Sequence, residues 1–465
     1  MAGKKLFGTS GVRGFTNKDI TPELALGIGS AFGYLMEGGK VCIGRDTRYG
    51  AEMIAAAFKA GLVSQGCDVV ECGCVPTPAL ACYISSTDAT GGVMITGSHL
   101  PPDMLGIIPL IEDGAYIPDH MARNVEEIYE SRFYENNMAE PSKIGKEERA
   151  KDVMEVYKKR ILSHVDCVEI KDGRFKVAVD PGNGTSSGFL AEMLRELGCE
   201  VVEIHGEKRG YPERKPEPRA HTLEKLREVV VAEGCDIGAG LDIDADRVIF
   251  IDEKGKGVSE DVAGVIFADS IFLPGFDDVF VTPANSSGIV EWFSRERNIT
   301  MEYCRIGQPA TVEAIKKLDA KYSYEESGKY YFASEVNWCD GPLAVLKMLE
   351  IMYDAGKSLS EIVARYPAVH QVKHTQPLPP DFKDRIINAI SERALEELGE
   401  GTAKVLDIDG YKMIYPDFAW LLLRPSGTEP ILRVYSDSQS AERAEGLVEK
   451  GIKFIKSIMA ECANV

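Results

Sequence analysis

The sequence predicts a multidomain α/β protein, and three observations carry that prediction. Short β-branched runs alternate with amphipathic stretches of helical period, the order of βαβ units. One unit recurs: AEMIAAAFKAGLVSQGCDVVECG (51–73) is similar to FLAEMLRELGCEVVEIHG (189–206), with GCDVVE (66–71) answering GCEVVE (198–203). The chain has 465 residues, and at about 150 residues per domain this suggests roughly three domains.

The elements follow in order. VCIGRDTR (41–48), FKVAVDPGNG (175–184) and VFVTPANSSG (279–288) each read as a strand entering a turn of small residues, then a helix, then another apolar run. In the first two units Gly ends the helix and a β-branched pair opens the next strand. The third unit, continuing IVEWFSRERNITMEYC (289–304), keeps the pattern without the residues. Serial, related α/β domains are therefore expected; shared βαβ grammar without kinship is the plainer alternative. ENNMAEPSKIGKEERAKD (135–152) reads as a linker leading into a helix, and the proline-bearing VHQVKHTQPLPPDFKD (369–384) as the last boundary. Beyond it come a helix (384–398), strands in KVLDIDGYKMIY and FAWLLLRPSGTEPILRVYS, and a final helix (440–461). That order is α+β and does not repeat the earlier units.

Composition excludes several classes. Asp and Glu number 73 against 53 Lys and Arg, a formal charge of −20, with a sequence pI near 5.0. A nucleic-acid binder would show a basic face instead, and anionic lipid would repel this chain. No apolar run reaches the ~18 residues a membrane helix needs. MAGKKLFGTSGVRG has no apolar core, so it does not read as a signal peptide, and a cytoplasmic location is expected. The 11 cysteines are odd in number and scattered, which points to free thiols. Cys67, Cys72, Cys74 and Cys82 lie close in sequence but lack CxxC spacing, so buried small hydrophobes are expected rather than a metal cluster.

Four loops could carry chemistry. In GVMITGSHLPPDMLGI (92–107) a strand runs into Gly97–Ser98–His99 and two prolines, which presents Ser98 at a strand end. The alternative is a simple turn serine; G-x-S-x-G is absent. In GLDIDADRVIFID (240–252), Asp242, Asp244 and Asp246 recur at every second position. An extended segment would put the three carboxylates on one side, a donor set that suits Mg²⁺. Without a cation their mutual repulsion would raise their pKa values; a solvated acidic turn is the alternative. KYSYEESGKYYF (321–332) offers Glu325 and Ser327 in a turn, the groups that grip sugar hydroxyls, or else a surface hairpin. FAWLLLRPSGTEPILRVY (418–435) brackets Arg424, Ser426, Gly427 and Thr428 between apolar strands, with Arg433 following. Hydroxyls, backbone N–H groups and two guanidinium forks would make a phosphate nest; a plain hairpin is the alternative.

In this order the loops resemble the α-D-phosphohexomutase family, which includes phosphomannomutase/phosphoglucomutase and phosphoglucosamine mutase. The resemblance runs from FGTSGVRG (7–14) to RPSGTEP (424–430). It implies four domains around a central cleft, the first three related α/β units with mixed sheets and the last a smaller α+β domain. The expected boundaries are 1–145 (phosphoserine), 146–252 (metal), 253–368 (sugar recognition) and 369–465 (phosphate binding). The implied activity is Mg²⁺-dependent interconversion of hexose 1- and 6-phosphates, with phosphomannomutase/phosphoglucomutase ahead. Ser98 matches the phosphoserine; a hexose 1,6-bisphosphate is the intermediate and activator. Asp242, Asp244 and Asp246 match the Mg²⁺ ligands, joined by the phosphorylated Ser98. Arg247 follows them, Glu325 and Ser327 match the sugar loop, and Arg424, Ser426, Gly427 and Thr428 match the phosphate loop. Arg13 and Arg45 match basic residues close to the transfer site. The implied partner is a small phosphosugar, with no nucleic acid or membrane and a monomer or homodimer.

This chain departs from the family pattern at several places. T-A-S-H-N-P is here Thr96–Gly97–Ser98–His99–Leu100–Pro101. The lysine of N-G-I-K is Ile108, the histidine of the sugar loop is Lys329, and K-V-G-H is Arg305–Ile306–Gly307–Gln308. Lys329, His99 or Arg13 could take over proton transfer. The alternatives to a phosphomannomutase/phosphoglucomutase are a phosphoglucosamine mutase, a non-catalytic phosphosugar binder and an aspartyl phosphatase, the last lacking its aspartate–lysine pairing.

Overall fold

The computed structural model describes residues 6–8, 10–273, 277–334, 336–426 and 430–463. The chain divides into two compact units, Met1–Val258 with Ser327–Val363, and Ser259–Glu326 with Ala364–Val465.

The first unit holds two α/β layers. In the first sheet, strands Lys40–Arg45, Asp68–Cys74 and Gly91–Ile95 are parallel, whereas Met104–Ile111 and Val12–Phe15 add antiparallel. Helix Pro22–Leu35 starts where Thr21 accepts the Leu24 N–H and proline occupies the first turn. It packs with helix Ala51–Ser64 over the sheet, burying Ile28, Phe32, Ile54, Phe58 and Leu62 against Val41, Val69 and Val93. The stretch expected as a linker instead contributes an edge strand, Glu147–Arg149, parallel to Asp68–Cys74. Its exposed charged side chains, polar on both sides, hide the strand from a periodicity reading. The first sheet thus extends past residue 145.

The second sheet runs Val248–Asp252, Ile237–Leu241, Lys176–Asp180, Glu200–Glu203, antiparallel at the first pair and parallel after it. Ile237–Leu241 and Val248–Asp252 are buried throughout, so the turn between them, residues 242–247, is held by two rigid walls. Helix Gly341–Ala355 begins beside that turn: the Gly341 N–H donates to the Ala245 carbonyl at 3.1 Å. Its cap, Asp340, accepts from the Leu343 N–H at 2.9 Å and from the Tyr157 hydroxyl at 2.7 Å.

In the second unit, strand Val279–Pro283 pairs in parallel with Thr300–Cys304 and with Tyr322–Glu325. The C-terminal sheet is antiparallel, in the order His370–Pro377, Ile431–Ser438, Trp420–Pro425, Tyr411–Ile414, Lys404–Leu406. Helices Lys383–Leu398 and Ala441–Ala463 cover one face of it. The segment read as a boundary therefore opens with a strand, and its prolines fall at and beyond the strand end. Lys412, wholly buried, donates to the Ser286 carbonyl at 3.0 Å and lies 4.4 Å over the Trp420 ring. Asp261 accepts from the Ser287 N–H at 2.9 Å and the Tyr324 hydroxyl at 2.7 Å. Asp437 accepts from the Gly288 N–H at 2.9 Å and the Ser287 hydroxyl at 3.0 Å. Two buried carboxylates thus hold one strand-end loop. Burial pushes the Asp261 carboxyl up to about 7 and the Lys412 ammonium down to about 7.

Candidate active site

Ser98 stands in the turn after strand Gly91–Ile95, 2% exposed, with φ +46°. A non-glycine residue in that region costs about 1–3 kcal/mol, and it persists only where its surroundings over-determine it. Here they do. Asp46 Oδ2 accepts from the Thr96 hydroxyl at 2.8 Å and the Gly97 N–H at 2.9 Å, and the Ser98 N–H donates to Thr96 Oγ1 at 2.8 Å. The Arg48 guanidinium donates to the carbonyls of Ser98, Leu100, Pro101 and Met104 at 2.5–2.7 Å. It fills the space a side chain at 97 would take: a Cβ there would lie 2.0 Å from Arg48 Nη1. The Met104 carbonyl oxygen, 2.5 Å from the same point, closes the space as well, so Gly97 fits the turn without displacing either group.

Asp46 and Arg48 are missed as site residues by sequence reasoning, although they stand beside Arg45 in the same motif. Arg45 itself pairs with Glu52 at 3.3 Å, and no described contact brings it to Ser98. On a strand followed by a turn, the residue that reaches inward is decided by the turn, and the sequence does not reveal which one it is.

The acidic loop is a turn rather than an extended segment, with Ala245 at φ +60°. The carboxylates converge all the same: Asp242, Asp244 and Asp246 each offer an oxygen within 4.8 Å of the others, and all three are buried. Asp242 Oδ2 accepts from the Ser98 hydroxyl at 2.7 Å, which joins the two loops. Asp244 Oδ2 accepts from Thr77 Oγ1 at 2.8 Å; Asp246 Oδ2 accepts from Lys329 Nζ at 2.7 Å and Tyr116 OH at 3.2 Å. Asp244 Oδ1 and Asp246 Oδ1 are buried and accept no hydrogen bond. Two orphaned carboxylate oxygens among hard oxygen donors fit Mg²⁺, because leaving them unpaired is costly and a divalent cation would satisfy both.

Electrostatics agree. Burial, then the charges of its two neighbours, holds the Asp242 carboxyl well above the usual carboxylate range. Asp244 is raised by burial and by Asp246. For Asp246 burial acts upward, but Lys329 and then Arg247 outweigh it and hold the group below its ordinary value. Arg247 lies 3.8 Å from Asp242 and 3.7 Å from Asp246. Arg13, on strand Val12–Phe15 opposite Gly106, is buried, which lowers its pKa. His99 Nδ1 lies 3.3 Å from Ser98 Oγ, and burial, then Arg247 and Arg13, holds the imidazole neutral. Since the serine hydroxyl donates to Asp242, the His99 contact is Nδ1–H donating to Oγ. Ile108 is buried in strand Met104–Ile111 and brings no charge.

The sugar-loop expectation spans both units. Ser327 and Lys329 belong to the first, where the Val248 N–H donates to the Gly328 carbonyl at 3.0 Å and the Ser327 hydroxyl is buried without a hydrogen bond. Glu325 ends its strand in the second unit, and the neighbouring Glu326 pairs with Lys373. Arg424 is gripped bidentately by Asp409, Nε–Oδ1 2.7 Å and Nη2–Oδ2 3.1 Å, and stands opposite Arg433 in the sheet. The Ser426 carbonyl accepts from Lys383 at 3.2 Å, a basic residue the sequence did not flag. Gly427 and Thr428 lie outside the described residues.

Known proteins match this arrangement along nearly its whole length. Four family models fit: phosphoglucomutase/phosphomannomutase alpha/beta/alpha domains I, II and III at residues 4–135, 155–256 and 260–369, and the C-terminal domain at 383–452. A phosphoglucomutase/phosphomannomutase of Thermococcus kodakarensis is 37% identical over 98% of this chain and 99% of its own. A probable phosphoglucosamine mutase of Methanopyrus kandleri is 33% identical over 98% and 99%. A crystal structure of a phosphoglucomutase/phosphomannomutase family protein from Burkholderia thailandensis shares the fold, with a TM-score of 0.86 at 22% identity, over 99% of this chain and 98% of that one.

Proposed function

This chain belongs to the phosphoglucomutase/phosphomannomutase family of phosphohexomutases, and on that premise we propose that it interconverts hexose 1- and 6-phosphates through a phosphorylated Ser98. The observation that carries the reading is the Ser98 hydroxyl, 2.7 Å from Asp242 within a converging carboxylate triad. Asp242, Asp244 and Asp246 would hold Mg²⁺, which supplies positive charge to the phosphoryl oxygens when bound.

The chain's own residues do the rest. Phosphoryl transfer needs in-line positioning and neutralised oxygens more than covalent help. Asp46 and Arg48 fix the serine turn. Arg13, Arg247 and Lys329 bring positive charge to the oxygens of the phosphoryl group on Ser98 Oγ. The P–Oγ bond breaks as the phosphoryl passes to a free sugar hydroxyl, whose proton ends on Oγ, and gives the 1,6-bisphosphate; the intermediate reorients, its other phosphoryl returns to Oγ, and the Oγ proton goes to the sugar oxygen released. Neutral His99 orients the hydroxyl between turnovers. We assign the sugar hydroxyls to Glu325 and Ser327, and the non-transferring phosphate to Arg424, Ser426, Gly427, Thr428 and Arg433. Arg45 receives no role. Domain limits at 1–145, 146–252, 253–368 and 369–465, a cytoplasmic setting and a monomer or homodimer belong to the same reading. Among the described residues no helix is long and apolar enough to cross a membrane.

Phosphomannomutase/phosphoglucomutase activity is the first assignment. Phosphoglucosamine mutase is the second, favoured by relatives bearing that name. The test is phosphorus NMR of the protein with Mg²⁺, a trace of bisphosphate, and mannose, glucose or glucosamine 1-phosphate in turn. Conversion to the 6-phosphate, lost in Ser98→Ala, is expected, and the fastest sugar names the substrate. Release of inorganic phosphate instead would replace the mutase with a phosphatase. Binding without conversion would leave a phosphosugar binder.

A further inference from the structure

The acidic loop carries its own cation. Lys329 Nζ lies 2.7 Å from Asp246 Oδ2, and the two side chains are 3% and 1% exposed. The position is fixed from both sides. The Tyr116 hydroxyl donates to the same oxygen at 3.2 Å, and the ammonium sits 5.7 Å over the Tyr116 ring. The backbone before Lys329 is tied to the strand after the loop through Gly328 and Val248. Gly328 has φ +82°, and a Cβ there would come within 2.7 Å of the Val248 carbonyl oxygen, so only glycine lets the chain pass this close. The other Asp246 oxygen, Oδ1, and Asp244 Oδ1 remain without a hydrogen bond.

We propose that Lys329 is a fixed counter-cation of the acidic loop, one that keeps the loop assembled without metal and sets how weakly a divalent cation binds. The proposal rests on the metal reading of the triad. Lysine carries a compact point charge with three donors, and it satisfies one oxygen of Asp246 while the other, Oδ1, accepts no hydrogen bond and has Arg247 Nε 3.7 Å away. A divalent cation arriving at the unbonded oxygens meets three carboxylates whose charge is already partly cancelled at short range. Removing the ammonium should therefore tighten cation binding and at the same time loosen the metal-free loop, because buried carboxylates would then face one another with less compensation.

The test measures binding rather than turnover: calorimetric titration of the full chain with Mg²⁺ and with Mn²⁺, free Mn²⁺ being checked by electron paramagnetic resonance. Lys329→Met should bind either ion at least about tenfold more tightly than wild type, as expected for deleting one charge next to a buried ligand. The metal-free melting temperature should fall and the rise on adding metal should grow. Lys329→Gln guards against a folding failure of the methionine variant and should move in the same direction, while Lys329→Arg, which keeps the charge, should restore wild-type affinity. Neutral variants that bind no more tightly than wild type would overturn the counter-cation role while leaving the metal site standing. A wild-type chain that takes up neither ion would remove the metal reading, and this proposal with it.

Discussion

Asp242, Asp244 and Asp246 in the first unit, and Asp261 and Asp437 in the second, are equally buried, yet their oxygens are handled differently. The second pair take backbone N–H donors from one loop, Ser287 to Asp261 and Gly288 to Asp437. They act as clamps on the peptide chain. The triad takes mostly side-chain donors, with one backbone N–H from Arg247 to Asp242, and leaves two buried oxygens bare, Asp244 Oδ1 and Asp246 Oδ1, in a converging group; the second pair leaves one, Asp437 Oδ2, outside any such group. Among the described residues it is the one group of three acidic or metal-ligating side chains whose oxygens converge. Burial of a carboxylate thus says little about metal; the number of unsatisfied oxygens that meet says much more.

The contrast breaks most sharply at Asp244. Asp244→Asn keeps the shape and the Thr77 contact but removes charge, so mutase turnover should fall by about 10³-fold, the scale of losing a transition-state electrostatic contact. Its metal-free melting temperature should hold or rise, because a repelling carboxylate is gone; a marked drop would make the triad a structural clamp like the other pair. Arg48→Met comes next. It releases four carbonyls of the serine turn, and a nucleophile displaced by an ångström loses about 10²-fold in kcat. Substrate KM should change little, and an unchanged kcat would show that the turn holds itself.

The clamp side of the comparison is tested by pH. Asp261 has an ordinary value of 3.8 and sits at about 7 when folded. The native protein therefore keeps a proton that the unfolded chain has lost between those values. This stability is complete below about pH 4 and is lost as pH rises through 7. Lys412, lowered from 10.5 to about 7, works the other way, with its contribution present above 10.5 and lost as pH falls through 7. Asp261→Asn cannot titrate. Between pH 5 and 7 wild type should lose stability relative to this variant, by up to about 1.4 kcal/mol per pH unit. Denaturant midpoints at several pH values measure this, and parallel curves would refute it. The smallest effect is expected from Arg45→Ala. Its partner Glu52 is exposed, and such pairs contribute about 0–1 kcal/mol, so kcat/KM should stay within about twofold.

Much of this was legible in the sequence, and the failures share a cause. Alternating strands and helices, the repeat at 66–71 and 198–203, and the Asp–x–Asp–x–Asp spacing all announce themselves locally. The route to convergence did not: an extended segment was the natural reading, whereas Ala245 turns the chain through the left-handed region. Edge strand Glu147–Arg149 carries no apolar alternation, so nothing in its residues marks it. Thr77 at the start of helix Thr77–Ser85, Tyr116 in an isolated bridge with Leu110 and Arg48 in a bend reach the site from separate elements, and long-range placement of that kind leaves no periodic trace. Arg424 shows the converse. Its residue type suits phosphate, and Asp409, from the turn before the neighbouring strand, holds two of its N–H groups.

The guanidinium seated against Gly97 limits which residues the serine turn accepts. Positions 48 and 97 are two parts of one fit: a methyl gained at 97 would meet the Arg48 guanidinium at 2.0 Å and the Met104 carbonyl oxygen at 2.5 Å. Shortening the side chain at 48 would therefore relieve only part of the crowding, and the strand carrying Met104 would have to give as well.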